Sequence, residues 1–420
     1  MKRITAIFFL SVIMIFMWCI VPFSIARRAV EKLTTSDDAV NIDIDWEKLY
    51  PFEGSRDITP DEKLSVIDYV KEKIENYTSS KLTGRQAIIE AAKMYEDVIG
   101  WNMAAVQGYN PVIKLNDGYL SGLVVSRDVT ENVQAVKELD DFCHSLGIEY
   151  MYINYPAKIC ISQDKEISGI LDFTNQNADQ LLHMLRESGV SVYDFRETLH
   201  NEGMNHHEAF FRTDHHWKPE TGLWAARHIL QILRDDYGWN VKPEILDAEN
   251  FEYVVYRDWF LGSQGKKLTL SRTNPDDFTM IYPKFRTRLH FEIPTRGINT
   301  SGDFSITYEM SKVETRDYYG LSPSGAYNHG RSPVCKLNNM IADNNKKAIL
   351  IYDSFSNPVI PFLALAVKNV EIVDLRQFTG SLKSYIKSSK PDVVITAYYS
   401  EMPGCTLSSQ WPENKLYDFR

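Results

Sequence analysis

The chain has 420 residues, 44% hydrophobic and 24% charged, values that exclude disordered, collagen-like and polytopic membrane proteins. Its 46 lysines and arginines stand against 56 acids, and a net charge of −10 argues against a phosphate-backbone binder, so no nucleic acid partner is expected. The length allows one large domain with insertions or two modest ones.

In chain order, Lys2 and Arg3 precede an uncharged stretch from Ile4 to Ala26. Twenty-three helical residues reach roughly 34 Å, enough to cross a bilayer core of about 30 Å. Ser24-Ile25-Ala26 has the small residues a signal peptidase reads, so an uncleaved anchor and a cleaved signal both fit. Either way the rest of the chain is expected outside the cytoplasm: a single-pass cell-membrane protein, or alternatively a secreted one. Residues 1–30 form the anchor or signal, and 31–116 a stalk and N-terminal helical segment. Thr59-Pro60-Asp61-Glu62 reads as a helix start, with Leu64, Ile67, Val70 and Ile74 on one face, and a second helix is expected over about 85–99.

From about Asp117 to the C-terminus, strand and helix patterns alternate. Helices are expected over 133–146, 178–188 and 219–237, and strands over 148–154, 190–194, 348–351, 371–375 and 393–397. This alternation predicts an α/β fold with a doubly wound parallel sheet. Between about 239 and 335 the alternation lapses, and a β-rich insertion is expected there. Outside the N-terminal segment, Cys143, Cys160, Cys335 and Cys405 fit either two bridges or buried thiols, and no C-x-x-C spacing supports a zinc ribbon or redox motif.

Two segments carry chemistry. The apolar strand Ala348–Ile351 runs into Tyr352-Asp353-Ser354, with Asn357-Pro358 reading as the cap and first residue of the next helix. Ser354 then stands at a strand-to-helix turn, where a hydroxyl is exposed and backbone N–H groups converge. The second segment is Thr213-Asp214-His215-His216-Trp217. If extended, it puts Asp214 and His216 on one side, carboxylate against imidazole, with His215 pointing the other way. That is the base-plus-orienter half of a Ser-His-Asp triad. A metal site drawn from His206, His207, Glu208, Asp214, His215 and His216, or a polar loop of structural histidines, fits the same residues.

Asp214-His215-His216-Trp217 matches the signature of the DHHW family, which is similar to the alginate O-acetylation proteins of the SGNH-hydrolase-like superfamily. The resemblance implies an SGNH-hydrolase-like domain over 117–420 in which Asp-x-His precedes the serine, a circular permutation of the usual order. It implies Ser354 as nucleophile, His216 as base and Asp214 as orienter. Tyr155-Pro156-Ala157-Lys158 resembles a Pro-x-Lys element of such relatives, and Trp259-Phe260-Leu261-Gly262-Ser263 a Gly-Ser segment. Lys158 and Ser263 are thus candidate oxyanion or substrate contacts, as are the hydroxyls of Tyr398 and Tyr399 at the end of the last strand. The Gly-Asp-Ser and Gly-x-Asn-Asp blocks are missing. The implied activity is an extracytoplasmic O-acetyltransferase acting on a polysaccharide, beside a multi-span membrane O-acyltransferase. A carbohydrate acetylesterase and a non-catalytic glycan-binding or assembly subunit are the alternatives. The chemistry needs no cofactor.

Overall fold

The computed structural model describes residues 112–115, 117–160, 172–270, 272–405 and 415–420. The apolar stretch at 4–26, the stalk and the helices expected between 59 and 99 lie outside the described residues. Among the described residues, no helix is long and apolar enough to cross a membrane.

After a short hairpin, β1 (Ile113–Lys114) and β2 (Leu120–Ser121), come α1 (Thr130–Ser145), β3 (Glu149–Tyr155), α2 (Thr174–Glu187), β4 (Val192–Asp194), α3 (Phe195–Asn201) and α4 (Pro219–Asp235). Pro219 opens α4, where a missing N–H costs nothing, and Leu223, Ala226, Leu230 and Leu233 bury its apolar face. The chain continues through β5 (Phe251–Phe260), α5 (Ser263–Leu268), β6 (Asp276–Pro283), β7 (Leu289–Ile293), β8 (Ile298–Gly302) and β9 (Val334–Asn339). It closes with β10 (Lys347–Tyr352), α6 (Ile360–Leu363), β11 (Asn369–Val373), α7 (Leu382–Ser389) and β12 (Val393–Tyr399).

Eight strands form the central sheet, in the order β4-β3-β12-β10-β11-β9-β7-β8. The five from β4 to β11 are parallel, and β10 and β12 are the near-continuous apolar runs that two-sided burial requires. The last three strands pair antiparallel. The sheet is therefore mixed rather than wholly parallel. The stretch around 239–335, expected as a β-rich insertion, supplies the β5–β6 pair and also β7 and β8, which extend the main sheet through β9. Strand alternation is weak there because an antiparallel extension needs no crossover helix.

Counted from β10, the parallel strands β10, β11, β12, β3 and β4 lie in the sheet order 2-1-3-4-5. That is a doubly wound order with the chain opened elsewhere. Its switch point, where the winding direction reverses, falls between β10 and β12, and functional crevices sit outside the carboxyl ends of the strands there. The residue two beyond the end of β10 is Ser354.

Candidate active site

The turn after β10 is built by Asp353. Its buried carboxylate accepts the Phe355 N–H at 2.9 Å and, from the neighbouring strand end, the Tyr399 N–H at 2.7 Å. This closes Ser354–Ser356 into a 3-10 turn and fixes Ser354 between β10 and β12. The expected cap at Asn357 is thus replaced by Asp353, and the next helix begins later, at Ile360. Burial pushes the Asp353 carboxyl up to about 6 against the pull of Arg376.

The histidine loop lies between α3 and α4. A bridge pairs Phe210 with Trp217, and the Phe211 N–H donates to the His216 carbonyl, so residues 212–216 form a tight loop rather than an extended strand. Asp276, at the start of β6, accepts the N–H groups of Arg212 and Thr213 and the Thr213 hydroxyl. From the other side, Gly262 approaches so closely that a Cβ there would lie 2.3 Å from the Asp214 Cβ.

This packing brings three of the expected residues together. His216 Nε2 lies 2.7 Å from Ser354 Oγ, and His216 Nδ1 lies 2.5 Å from Asp214 Oδ1. Asp214 also accepts the His216 N–H at 3.0 Å and the Ser263 N–H at 2.6 Å. Burial by itself would raise the Asp214 carboxyl, but the adjoining imidazoles and these N–H donors outweigh it and hold it well below the usual carboxylate range.

Other expectations change. His215 does not point away: the loop bends, its ring centroid lies 3.9 Å from that of His216, and both rings line one cavity. Burial, reinforced by His216, pushes the His215 imidazole down to about 3. Its Nδ1 lies 3.1 Å from the hydroxyl of Ser263, which is exposed and does not line the cavity. Lys158 is fully buried and donates to the carbonyls of Leu120 and Asp214 and to the Gln264 side chain; it buttresses the loop and does not reach the cavity. Desolvation lowers its ammonium to about 7. Tyr398 is buried with its hydroxyl donated to the Leu416 carbonyl, which removes it as an oxyanion donor. Tyr399 does line the cavity, but its hydroxyl donates to Glu401 and its ring stacks on Phe355.

Of the six metal-ligand candidates, only Asp214, His215 and His216 gather. His206 contacts the Ala157 carbonyl, His207 contacts Asp117, and Glu208 accepts from Asn205. Cys143 and Cys335 are buried thiols without a disulfide.

The cavity measures about 570 Å³, and its lining includes polar residues that the sequence reading gave no part in the site, among them Asn357, Arg331 and Arg376. Asn357 was legible in principle, because in a 3-10 turn residues i and i+3 eclipse, which puts it over Ser354. The arginines reach the cavity from chain segments with no motif of their own.

Residues 122–253 match the family described as the SGNH hydrolase-like domain of the acetyltransferase AlgX. No curated protein matches the chain. Among solved structures, Bacillus cereus PatB1 with a sulfonyl adduct is similar with a TM-score of 0.59 at 19% identity, over 74% of this chain and 99% of that one. A DHHW family protein from Eubacterium siraeum is similar with a TM-score of 0.53 at 13% identity, over 75% of this chain and 96% of that one. The DHHW and SGNH-hydrolase-like resemblance read from the motif is borne out, and these neighbours share the fold.

Proposed function

We propose that the protein is an extracytoplasmic O-acetyltransferase that moves acetyl groups onto a polysaccharide through Ser354, His216 and Asp214. The observation that carries this reading is the unbroken chain from Ser354 Oγ to His216 Nε2 and from His216 Nδ1 to Asp214, set at the sheet's switch point. His216 takes the Ser354 proton as Oγ attacks the acetyl carbonyl. The resulting imidazolium, stabilised by Asp214, returns that proton to the departing group and leaves an acetyl ester on Ser354. A sugar hydroxyl, deprotonated by His216, then attacks the ester carbonyl; the bond to Ser354 Oγ breaks, and Oγ regains the proton from His216. The oxyanion is met by the Ser354 N–H, at a position where no intrahelical carbonyl accepts it, and by the Asn357 amide. Asn357 lines the cavity over Ser354, and its buried Oδ1 has no hydrogen-bond partner, consistent with Nδ2 facing the cavity.

The similarity to the AlgX acetyltransferase domain supports transfer as the reaction. Membrane attachment through Ile4–Ala26 and a multi-span O-acyltransferase as acetyl supplier complete the proposal. An acetylesterase would use the same residues with water as acceptor. The test is acetyl transfer from p-nitrophenyl acetate to added oligosaccharides, together with labelling by phenylmethanesulfonyl fluoride. Ser354→Ala should abolish both, and full retained activity in that variant would leave a binding scaffold as the better description.

A further inference from the structure

The loop between α3 and α4 sets two histidines side by side, and the chain from Ser354 Oγ to Asp214 uses only one of them. The other, His215, has its two ring nitrogens in different surroundings. Nδ1 lies 3.1 Å from the Ser263 hydroxyl and 3.4 Å from Asp214 Oδ1, the same oxygen that faces His216 Nδ1. Ser263 stands outside the cavity whereas the His215 ring lines it, so the edge opposite Nδ1, which bears Nε2, is turned inward. Among the described residues, no hydrogen bond engages that nitrogen.

Electrostatics decide what Nε2 can do. Burial, the neighbouring His216 and the ammonium groups of Lys158 and Lys267 disfavour a charge on the ring, against the pull of Asp214, so His215 is a neutral imidazole with one N–H. Asp214 is held ionised and can only accept, and a bare Nδ1 lone pair facing its Oδ1 would be repelled. The hydrogen therefore sits on Nδ1, directed at the Ser263 and Asp214 oxygens, and Nε2 is left as a lone pair. The two rings are tilted by 38° with centroids 3.9 Å apart. Their Nδ1 edges converge on one carboxylate oxygen, and their Nε2 edges run side by side on the other flank. One of these nitrogens lies 2.7 Å from Ser354 Oγ, and the other is open to the cavity.

An acyl donor cannot use this second lone pair, because an ester carbonyl has no hydrogen to donate. A hydroxyl can. We propose that His215 Nε2 accepts a hydrogen bond from the hydroxyl adjacent to the one being acetylated, so that the site selects an acceptor bearing a vicinal diol. The proposal rests on Ser354 being the acyl-transfer centre. The reacting hydroxyl passes its proton to His216 Nε2 as its oxygen bonds to the acetyl carbon; the ester bond to Ser354 Oγ breaks, and Oγ takes that proton back. The adjacent hydroxyl keeps its own proton and only donates it to His215, which holds the reacting oxygen in place. Water has no second hydroxyl to anchor, so the same contact favours transfer over hydrolysis.

The test follows the fate of the acetyl group from p-nitrophenyl acetate in the full chain. Vicinal cyclohexanediol, as separate cis and trans isomers, is the probe, and the isomer with its hydroxyls at opposite ends of the ring is the reference. One vicinal isomer should take acetyl roughly three- to tenfold better than the reference, the worth of one neutral hydrogen bond, and which one does so reports the diol geometry. His215→Ala should erase that preference. His215→Gln, whose amide oxygen still accepts, should keep part of it, and Arg257→Gln, on exposed β5, should leave it intact. A loop merely loosened by the substitution would slow transfer to every diol alike and leave the preference unchanged. No preference in the wild type, transfer to none of the diols, or a preference that survives His215→Ala would overturn the inference alone. A wild-type chain that neither releases p-nitrophenol nor takes a sulfonyl label would remove the acyl-transfer reading, and this inference with it.

Discussion

The Trp217 indole Nε1 donates a 2.8 Å hydrogen bond to the carbonyl of Phe355, the residue after Ser354. The last letter of the DHHW motif thus ties the loop that carries His216 to the turn that carries Ser354. The indole is buried, with ring centroids 4.6 Å from Tyr155 and 5.4 Å from Phe355. Trp217→Phe keeps an aromatic ring but strands the Phe355 carbonyl, at a cost of about 1–3 kcal/mol. Turnover of p-nitrophenyl acetate should fall roughly 10- to 100-fold with KM little changed, because loosened alignment acts on the reacting geometry. A folded variant with wild-type kcat would show that the tether has no catalytic role.

His216→Ala should lower esterase turnover by at least about 10³, and Asp214→Asn by a similar or larger factor through loss of the correct tautomer. His215→Ala should cost only about tenfold, since that ring packs beside the triad but lies outside the Ser354–His216–Asp214 chain. Steady-state kinetics of the three variants decide it. A larger loss in the His215 variant than in the His216 variant would reverse the assignment of the base.

Gly262→Ala should destabilise the fold even though its φ of −69° suits any residue. The new methyl would meet the Asp214 Cβ at 2.3 Å and the Thr213 carbonyl at 2.5 Å, both held by the loop around them. Overpacking of this kind costs about 1–3 kcal/mol. Urea unfolding should show the loss, and sulfonyl labelling should slow in parallel as Asp214 is displaced. An unfolding midpoint equal to the wild type would mean the loop is softer than its contacts imply.

Asp353 makes stability depend on pH. Its folded-state value is raised to about 6, above the ordinary carboxylate value of 3.8, so the folded chain binds the proton more tightly than the unfolded one. The stability contributed by this proton is fully present below 3.8 and is lost as pH rises through 6, on the order of 3 kcal/mol. Asp353→Asn, which cannot titrate, should remove that slope. The difference between wild-type and variant unfolding free energies, measured at pH 4 and pH 7, should change by this amount in favour of the variant at pH 7. No change in the difference would place the Asp353 value near that of an exposed acid.

The parallel half of the sheet was legible because buried strands such as Ile349–Ile351 and Val393–Ile395 are apolar runs punctuated by helical stretches. Asp214, His216 and Ser354 were legible because residue type and chain order together narrow the chemistry. The orientation of His215 was not: a two-residue period holds only in extended backbone, and hydrogen bonds to the Asp276 carboxylate and a close glycine bend this loop. Lys158 read as a contact to a ligand because its residue type suits that role, yet burial turns it into a support for Asp214. Arg331 carried no local signal, since its position depends on a turn clamped from Arg296, 35 residues earlier in the chain.

The ends of the winding are close neighbours. Beyond β12, the carbonyls of Glu401 and Cys405 accept from Arg127 and Asn132, and Asn132 also receives the Gly404 N–H, all at the entrance to α1. A chain joined across this seam and opened between Asn339 and Lys347 would carry the same sheet with its serine at the front. The position of Ser354 in the sequence is therefore a matter of where the chain is cut and not of how the site is built. During synthesis the cut has an effect of its own. The loop of Asp214 and His216 leaves the ribosome well before Ser354, so the three residues cannot meet until the final strands have been made and docked beside β3.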